Sequence, residues 1–161
     1  MSTKPSVISL SIRPAAETDR AAILSLAGRL AAFGPTTRPP ADIERRERHA
    51  LAEALAGLPA GSTLLVADHE ELGLVGVLLL DRRRDYFTGE EHGHVAILAV
   101  ADGVEGLGIG RALLAAAEEW GRAQGCRRLT LSVFHENLRA RELYVKQGWR
   151  PELETYYKAL A

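Results

Sequence analysis

The sequence predicts an α/β domain with one mixed sheet and helices on both of its faces, and three observations carry that prediction. Short apolar runs of strand length alternate with amphipathic helical patterns along most of the chain. Two mid-chain runs, Gly61 to Ala67 and Leu72 to Leu80, are joined by the polar turn Asp68-His69-Glu70-Glu71, as in an antiparallel hairpin. A third run, Val95 to Val100, leads through Val104-Glu105-Gly106-Leu107-Gly108-Ile109-Gly110-Arg111 into a helical pattern, which makes a unit of strand, glycine loop and helix.

Composition bounds the rest. With 161 residues, 47% of them hydrophobic, the chain can bury a core of its own and reads as one domain over residues 1–161. A net charge of −1 supplies no overall basic field, so no nucleic-acid partner held through phosphate neutralisation is expected. No apolar run approaches membrane-spanning length and the first residues lack the order of a secretory signal, so the expected location is the cytoplasm, with no membrane partner. The single cysteine, Cys126, excludes an internal disulfide and a cysteine-based metal cage, and it reads as a small buried residue at a strand edge.

Taken in order, Val7 to Arg13 alternates apolar and polar residues and stops at Pro14, as a first strand does. From Thr18, the spacing of Ile23, Leu26, Ala27 and Leu30 predicts a helix, broken by Phe33-Gly-Pro-Thr-Thr-Arg-Pro-Pro40. A second helix begins near Pro40, with Ile43, Ala50, Leu51, Ala54, Leu55 and Leu58 as its apolar stripe and Glu44 to Arg48 as a solvated face. The hairpin strands follow, then a charged loop, Asp81 to Glu91. Beyond the glycine loop, Ile109, Leu113, Ala117 and Trp120 mark a helix ending near Gly125. Arg127 to Val133 reads as a strand, Asn137 to Gln147 as a helix stopped by Gly148, and Trp149 to Leu160 as a last strand or hairpin.

The glycine loop invites an anion, because glycine lets backbone N–H groups approach closely and the following helix adds unpaired amides and the positive end of its dipole. A dinucleotide fingerprint fails: the third glycine it requires falls on Arg111 or Leu113. A nucleoside-triphosphate loop fails as well, since Gly110-Arg111-Ala112 lacks the lysine and the hydroxyl that grip phosphate and magnesium.

Three segments together have a further likeness: Leu98-Ala-Val100; Glu105-Gly-Leu-Gly-Ile-Gly-Arg-Ala-Leu-Leu114; and Asn137, Ala140, Leu143, Tyr144, Gly148 and Trp149 at their spacing. In their order they resemble the GNAT superfamily of acyl-coenzyme-A-dependent N-acyltransferases. The likeness runs from Ile12-Arg-Pro14 through Val75-Gly76 to Tyr156-Tyr-Lys158. It implies a largely antiparallel mixed sheet in which the strand ending at Val100 splays from the strand ending at Val133 to admit the cofactor.

The resemblance also implies an activity, transfer of an acetyl group from acetyl-coenzyme A to a primary amine by direct attack, without a metal. The pyrophosphate of coenzyme A would lie on amides of Gly106, Leu107, Gly108, Ile109, Gly110 and Arg111, and the pantetheine arm would pair with Leu98, Ala99 and Val100. Asn137 and Tyr144, seven residues apart, would line the same arm, with the Tyr144 hydroxyl protonating the departing thiolate; Asn137 equally fits an ordinary helix N-cap. The family's usual strand acid is replaced by Ala96 and Ile97, which leaves His94 as the base candidate, with Glu91 and His92 beside it. Glu105 stands where relatives usually carry Gln or Arg, and a carboxylate there opposes a bound pyrophosphate unless a cation meets it. By the same resemblance the acceptor would be a small-molecule or peptide amine bordered by Phe33 to Pro40 and Asp81 to Glu91, and the expected state is a monomer or homodimer. The alternative is a non-catalytic acyl-coenzyme-A-binding regulatory domain.

Overall fold

A computed structural model describes residues 9–161. Its element order is β1 (Leu10–Pro14), a short 3-10 turn (Glu17–Asp19), α1 (Arg20–Ser25), α2 (Ala27–Ala31), α3 (Pro40–Ala56), β2 (Thr63–His69), β3 (Gly73–Arg84), β4 (Glu91–Val100), α4 (Ile109–Ala123), β5 (Leu129–Leu131) and α5 (Leu138–Lys146). The strands form one five-stranded sheet in sequence order, antiparallel from β1 to β4 and parallel between β4 and β5. Helices cover both faces. Ile23 and Ala27 of α1 and α2, with Leu51 and Ala54 of α3, pack on Val66, Val77, Ile97 and Ala99. On the opposite face, Ile109, Leu113 and Ala117 of α4 pack on Ala67, Val75, Leu78, Leu80 and Val95. Burying a Leu or Ile side chain in these layers contributes about 1.5–3 kcal/mol, so the sheet is clamped from two sides.

Arg13 anchors the N-terminal turn. Its guanidinium meets Asp19 at 2.8 Å and Asp68 at 3.0 Å, which ties the start of α1 to β2 and holds the Asp19 carboxyl below its usual range. Among the described residues, no helix is long and apolar enough to cross a membrane.

Five expectations need correction or limits. The predicted first strand begins at Leu10 within the described residues; Val7 and Ile8 lie outside them. The helix expected from Thr18 is split at Leu26, where tight bonds from Leu26 N to the Ile23 carbonyl and from Arg29 N to the Leu26 carbonyl wind the chain more closely. Much of the charged loop Asp81 to Glu91 is strand: β3 runs to Arg84 and β4 starts at Glu91, with cross-strand Arg82–Glu91 pairing extending the hairpin. The run from Trp149 to Leu160 forms neither strand nor hairpin. Leu153, Tyr156, Tyr157 and Leu160 are all exposed, and the neighbouring edge strand β5 is three residues long, too short a ladder to offset the cost of ordering another strand. Cys126 is half-buried rather than buried.

Candidate active site

The site begins where β4 and β5 part. Their parallel pairing covers only Gly93 to Val95 against Leu129 to Leu131. In the ladder to β3, Leu79 faces Ile97 whereas Leu80 faces Val95, so Ala96 is an extra residue on β4. That bulge flips the strand's faces: Val95 belongs to the α4 layer, and Ile97, two residues on, to the opposite one. It also bends β4, and from Ala96 onward the strand edge has no partner on the β5 side. The opening is a cleft of about 420 Å³, lined by β4 from Val95 to Val100 and by Ala101 after it, the glycine loop, Leu131 to Phe134, Asn137, Arg139 and Tyr144, and by Arg29, Leu30, Phe33 and Glu47.

The loop glycines serve different ends. Gly106 and Gly108 have φ of 81° and 75°, in the left-handed region, and a Cβ added to either would meet no atom within 4 Å. Gly108 is the N-cap of α4, and no side chain caps it, so the first amides of this 15-residue helix face the cleft without a side-chain acceptor. Gly110 is different. A Cβ there would stand 2.9 Å from Leu143 Cδ2, so its smallness lets α4 and α5 approach each other.

Tyr144 lines the cleft from α5, half-buried, with its ring 6.3 Å from that of Trp149. Burial pushes its hydroxyl pKa up, so the group stays protonated through the neutral range. Asn137 takes the cap role: its side-chain oxygen accepts from the Ala140 amide at 3.2 Å while the residue still borders the cleft. Leu98, Ala99, Val100, Gly106, Gly108, Ile109, Gly110 and Arg111 also line it. Leu107 instead packs against the α4 layer of the core.

The cation that Glu105 requires is present twice. Arg29 and Arg139 each stand 3.6 Å from its carboxylate, which lies below the usual range chiefly through hydrogen bonding to backbone amides and further through these arginines. Arg29 also donates to the Val100 carbonyl at 3.1 Å and stacks over Phe33, so it binds α2 to the end of β4.

His94 sits at the paired end of β4, opposite Thr130, whose hydroxyl oxygen is 2.8 Å from Nδ1. It is 7% exposed and is not among the residues lining the cleft; burial, with Arg83 nearby, lowers its pKa to about 4. His92 is buried as well, with an unpartnered Nδ1. None of Asp81 to Glu91 borders the cleft, because the hairpin carries that segment to the end of β4 away from the splay.

Sequence reasoning missed Arg29 and placed Glu47 on the solvated face Glu44 to Arg48, whereas Glu47 is half-buried and borders the cleft. A signal for Glu47 existed: it lies four residues after Ile43 and four before Leu51, so a carboxylate interrupts the buried stripe of α3.

An open strand edge above uncapped helix amides defines a class, α/β domains with an anion-accepting glycine loop beside a splayed sheet. Within that class the chain belongs to the Acetyltransferase (GNAT) family, whose sequence pattern matches residues 30–149. It is 35% identical over 94 residues to the aminoglycoside N(6')-acetyltransferase type 1 of Stenotrophomonas maltophilia, across 56% of this chain and 60% of that one. It is 44% identical over 59 residues to the mycothiol acetyltransferase of Beutenbergia cavernae, across 37% of this chain and 20% of that one. The chain therefore spans under two thirds of these relatives' lengths. Solved structures share the fold: a Trypanosoma brucei acetyltransferase (TM-score 0.64, 24% identity, 94% of this chain and 99% of that one) and an aminoglycoside N-acetyltransferase in complex with coenzyme A (TM-score 0.69, 19% identity, 94% and 95%).

Proposed function

We propose that this protein is an N-acetyltransferase that moves an acetyl group from acetyl-coenzyme A directly to a primary amine. The observation that carries the reading is one cleft bounded by three features: uncapped amides at Gly106 to Arg111, the unpaired edge of β4, and the Tyr144 hydroxyl. The cradle fits a pyrophosphate, since the space beside Gly106 and Gly108 is open and Arg111, exposed and outside any ion pair among the described residues, adds a cation. Leu98 to Val100 offer the strand edge to an extended amide chain, although the Val100 carbonyl is already held by Arg29.

Acetyl-coenzyme A supplies the activated thioester. Tyr144, kept protonated by burial, donates to the leaving sulfur. Asn137 stiffens the start of α5 and so positions Tyr144 two turns along. His94 enters as a base only through a relay, because it lies outside the cleft lining and its lowered pKa makes it a weak proton acceptor. Similarity to the aminoglycoside N(6')-acetyltransferase type 1 of Stenotrophomonas maltophilia supports a small-molecule amine as acceptor.

The test is thiol release from acetyl-coenzyme A across a panel of small amines and peptides. Turnover of at least one amine supports the reading. Thermal stabilisation by acetyl-coenzyme A with no thiol released by any amine would instead support the non-catalytic binding domain.

A further inference from the structure

Four acidic residues of α3 divide into two groups. Asp42 pairs with Arg45, Glu44 with Arg48 at 2.8 Å, and Glu53 with Arg46 at 3.8 Å and His49 at 3.3 Å. Glu47 alone makes no hydrogen bond or ion pair among the described residues. It is half-buried, and it borders the cleft with Leu30 and Phe33 of α2. A carboxylate withdrawn from water without a partner is unfavourable, and the residues three and four places away on its own helix face, Ile43, Glu44, Ala50 and Leu51, offer it no cation.

The charges around the cleft are sorted. Arg111 and Arg139 flank the glycine loop, where an anion would lie. Arg29, the other cation lining the α2 side, is already matched by Asp102 at 3.5 Å and Glu105 at 3.6 Å. Glu47 is the acidic group left uncompensated, with Leu30 and the Phe33 ring as apolar surface beside it. Building on the acetyltransferase reading, we propose that Glu47 is the counter-charge of the acceptor subsite: it binds the ammonium group of a cationic amine whose hydrocarbon portion lies on Leu30 and Phe33. Burial pushes the Glu47 carboxyl pKa up, opposed by Arg46. A bound ammonium reverses that penalty, so acceptor binding and ionisation of Glu47 favour each other.

Calorimetry on the full chain saturated with coenzyme A tests this, using 1,5-diaminopentane, tyramine and 2-deoxystreptamine as probes. At least one should bind the wild type; Glu47→Gln should weaken it by ten-fold or more, Glu47→Asp should restore part of the affinity, and coenzyme A affinity should stay within two-fold in both variants. Equal amine binding by Glu47→Gln, or no amine binding by a wild type that does bind coenzyme A, would overturn the subsite. Failure of the wild type to bind coenzyme A at all would overturn the acetyltransferase reading instead.

Discussion

The Arg29 guanidinium stands 3.6 Å from the Glu105 carboxylate, so the acid beside the candidate anion site is held by a residue from the opposite layer of the fold. Arg139 meets the same carboxylate, also at 3.6 Å. Glu105→Gln leaves both guanidiniums without that counter-charge near the glycine loop. The expected result is acetyl-coenzyme A binding tighter by about 3–10-fold at low salt, with the gain lost near 1 M salt, where the screening length falls to roughly 3 Å. Titration calorimetry at two ionic strengths checks it, and an unchanged low-salt affinity would mean that the Glu105 charge does not reach the loop.

Tyr144→Phe removes the hydroxyl and keeps the ring against Trp149. Turnover should drop by about 100-fold or more, the usual size of a general-acid contribution, while the dissociation constant of acetyl-coenzyme A changes little. Steady-state kinetics beside binding measurements separate the two; unaltered kcat removes Tyr144 from the acid role.

Gly108 and Gly110 should respond differently to alanine. Gly108→Ala forces a Cβ into a φ of 75° and should destabilise the fold by about 1–2 kcal/mol. Gly110→Ala meets only the end of the Leu143 side chain, and the gain of roughly 1 kcal/mol in helix propensity offsets that contact. Denaturant midpoints of both variants decide the point; equal losses would contradict the assigned conformations.

His94 links stability to pH. Its pKa is about 4 in the folded protein against an ordinary 6.5, so between those values the unfolded chain binds more protons. The native state is therefore favoured in full above about pH 6.5 and loses stability as pH falls towards 4, on the order of 3 kcal/mol at most from this group. His94→Gln, which can still hydrogen-bond Thr130, should flatten that part of the stability profile measured by urea unfolding. A slope unchanged in the variant would assign it to other groups.

Much of the fold is legible in local patterns. The apolar stripe Ile23, Leu26, Ala27, Leu51 and Ala54 predicts the helices that cover one face, and the polar turn at Asp68 predicts the hairpin of β2 and β3. The loop from Gly106 to Gly110 is legible because its glycines and the helix behind it are contiguous. Trp149 to Leu160 misleads, since its residues have strand character while pairing depends on an edge elsewhere in the chain.

By itself, the sequence determined the class of fold, the glycine loop at the start of α4 and the position of Tyr144 on α5, because each rests on patterns among residues near one another in the chain. Only the tertiary structure decided that Ala96 is a bulge that opens β4 from β5, that Arg29 reaches Val100 and Glu105, that His94 is buried away from the cleft, and that Glu47 borders it. These depend on register and on contacts between residues far apart in the chain, and neither periodicity nor composition encodes where such residues meet.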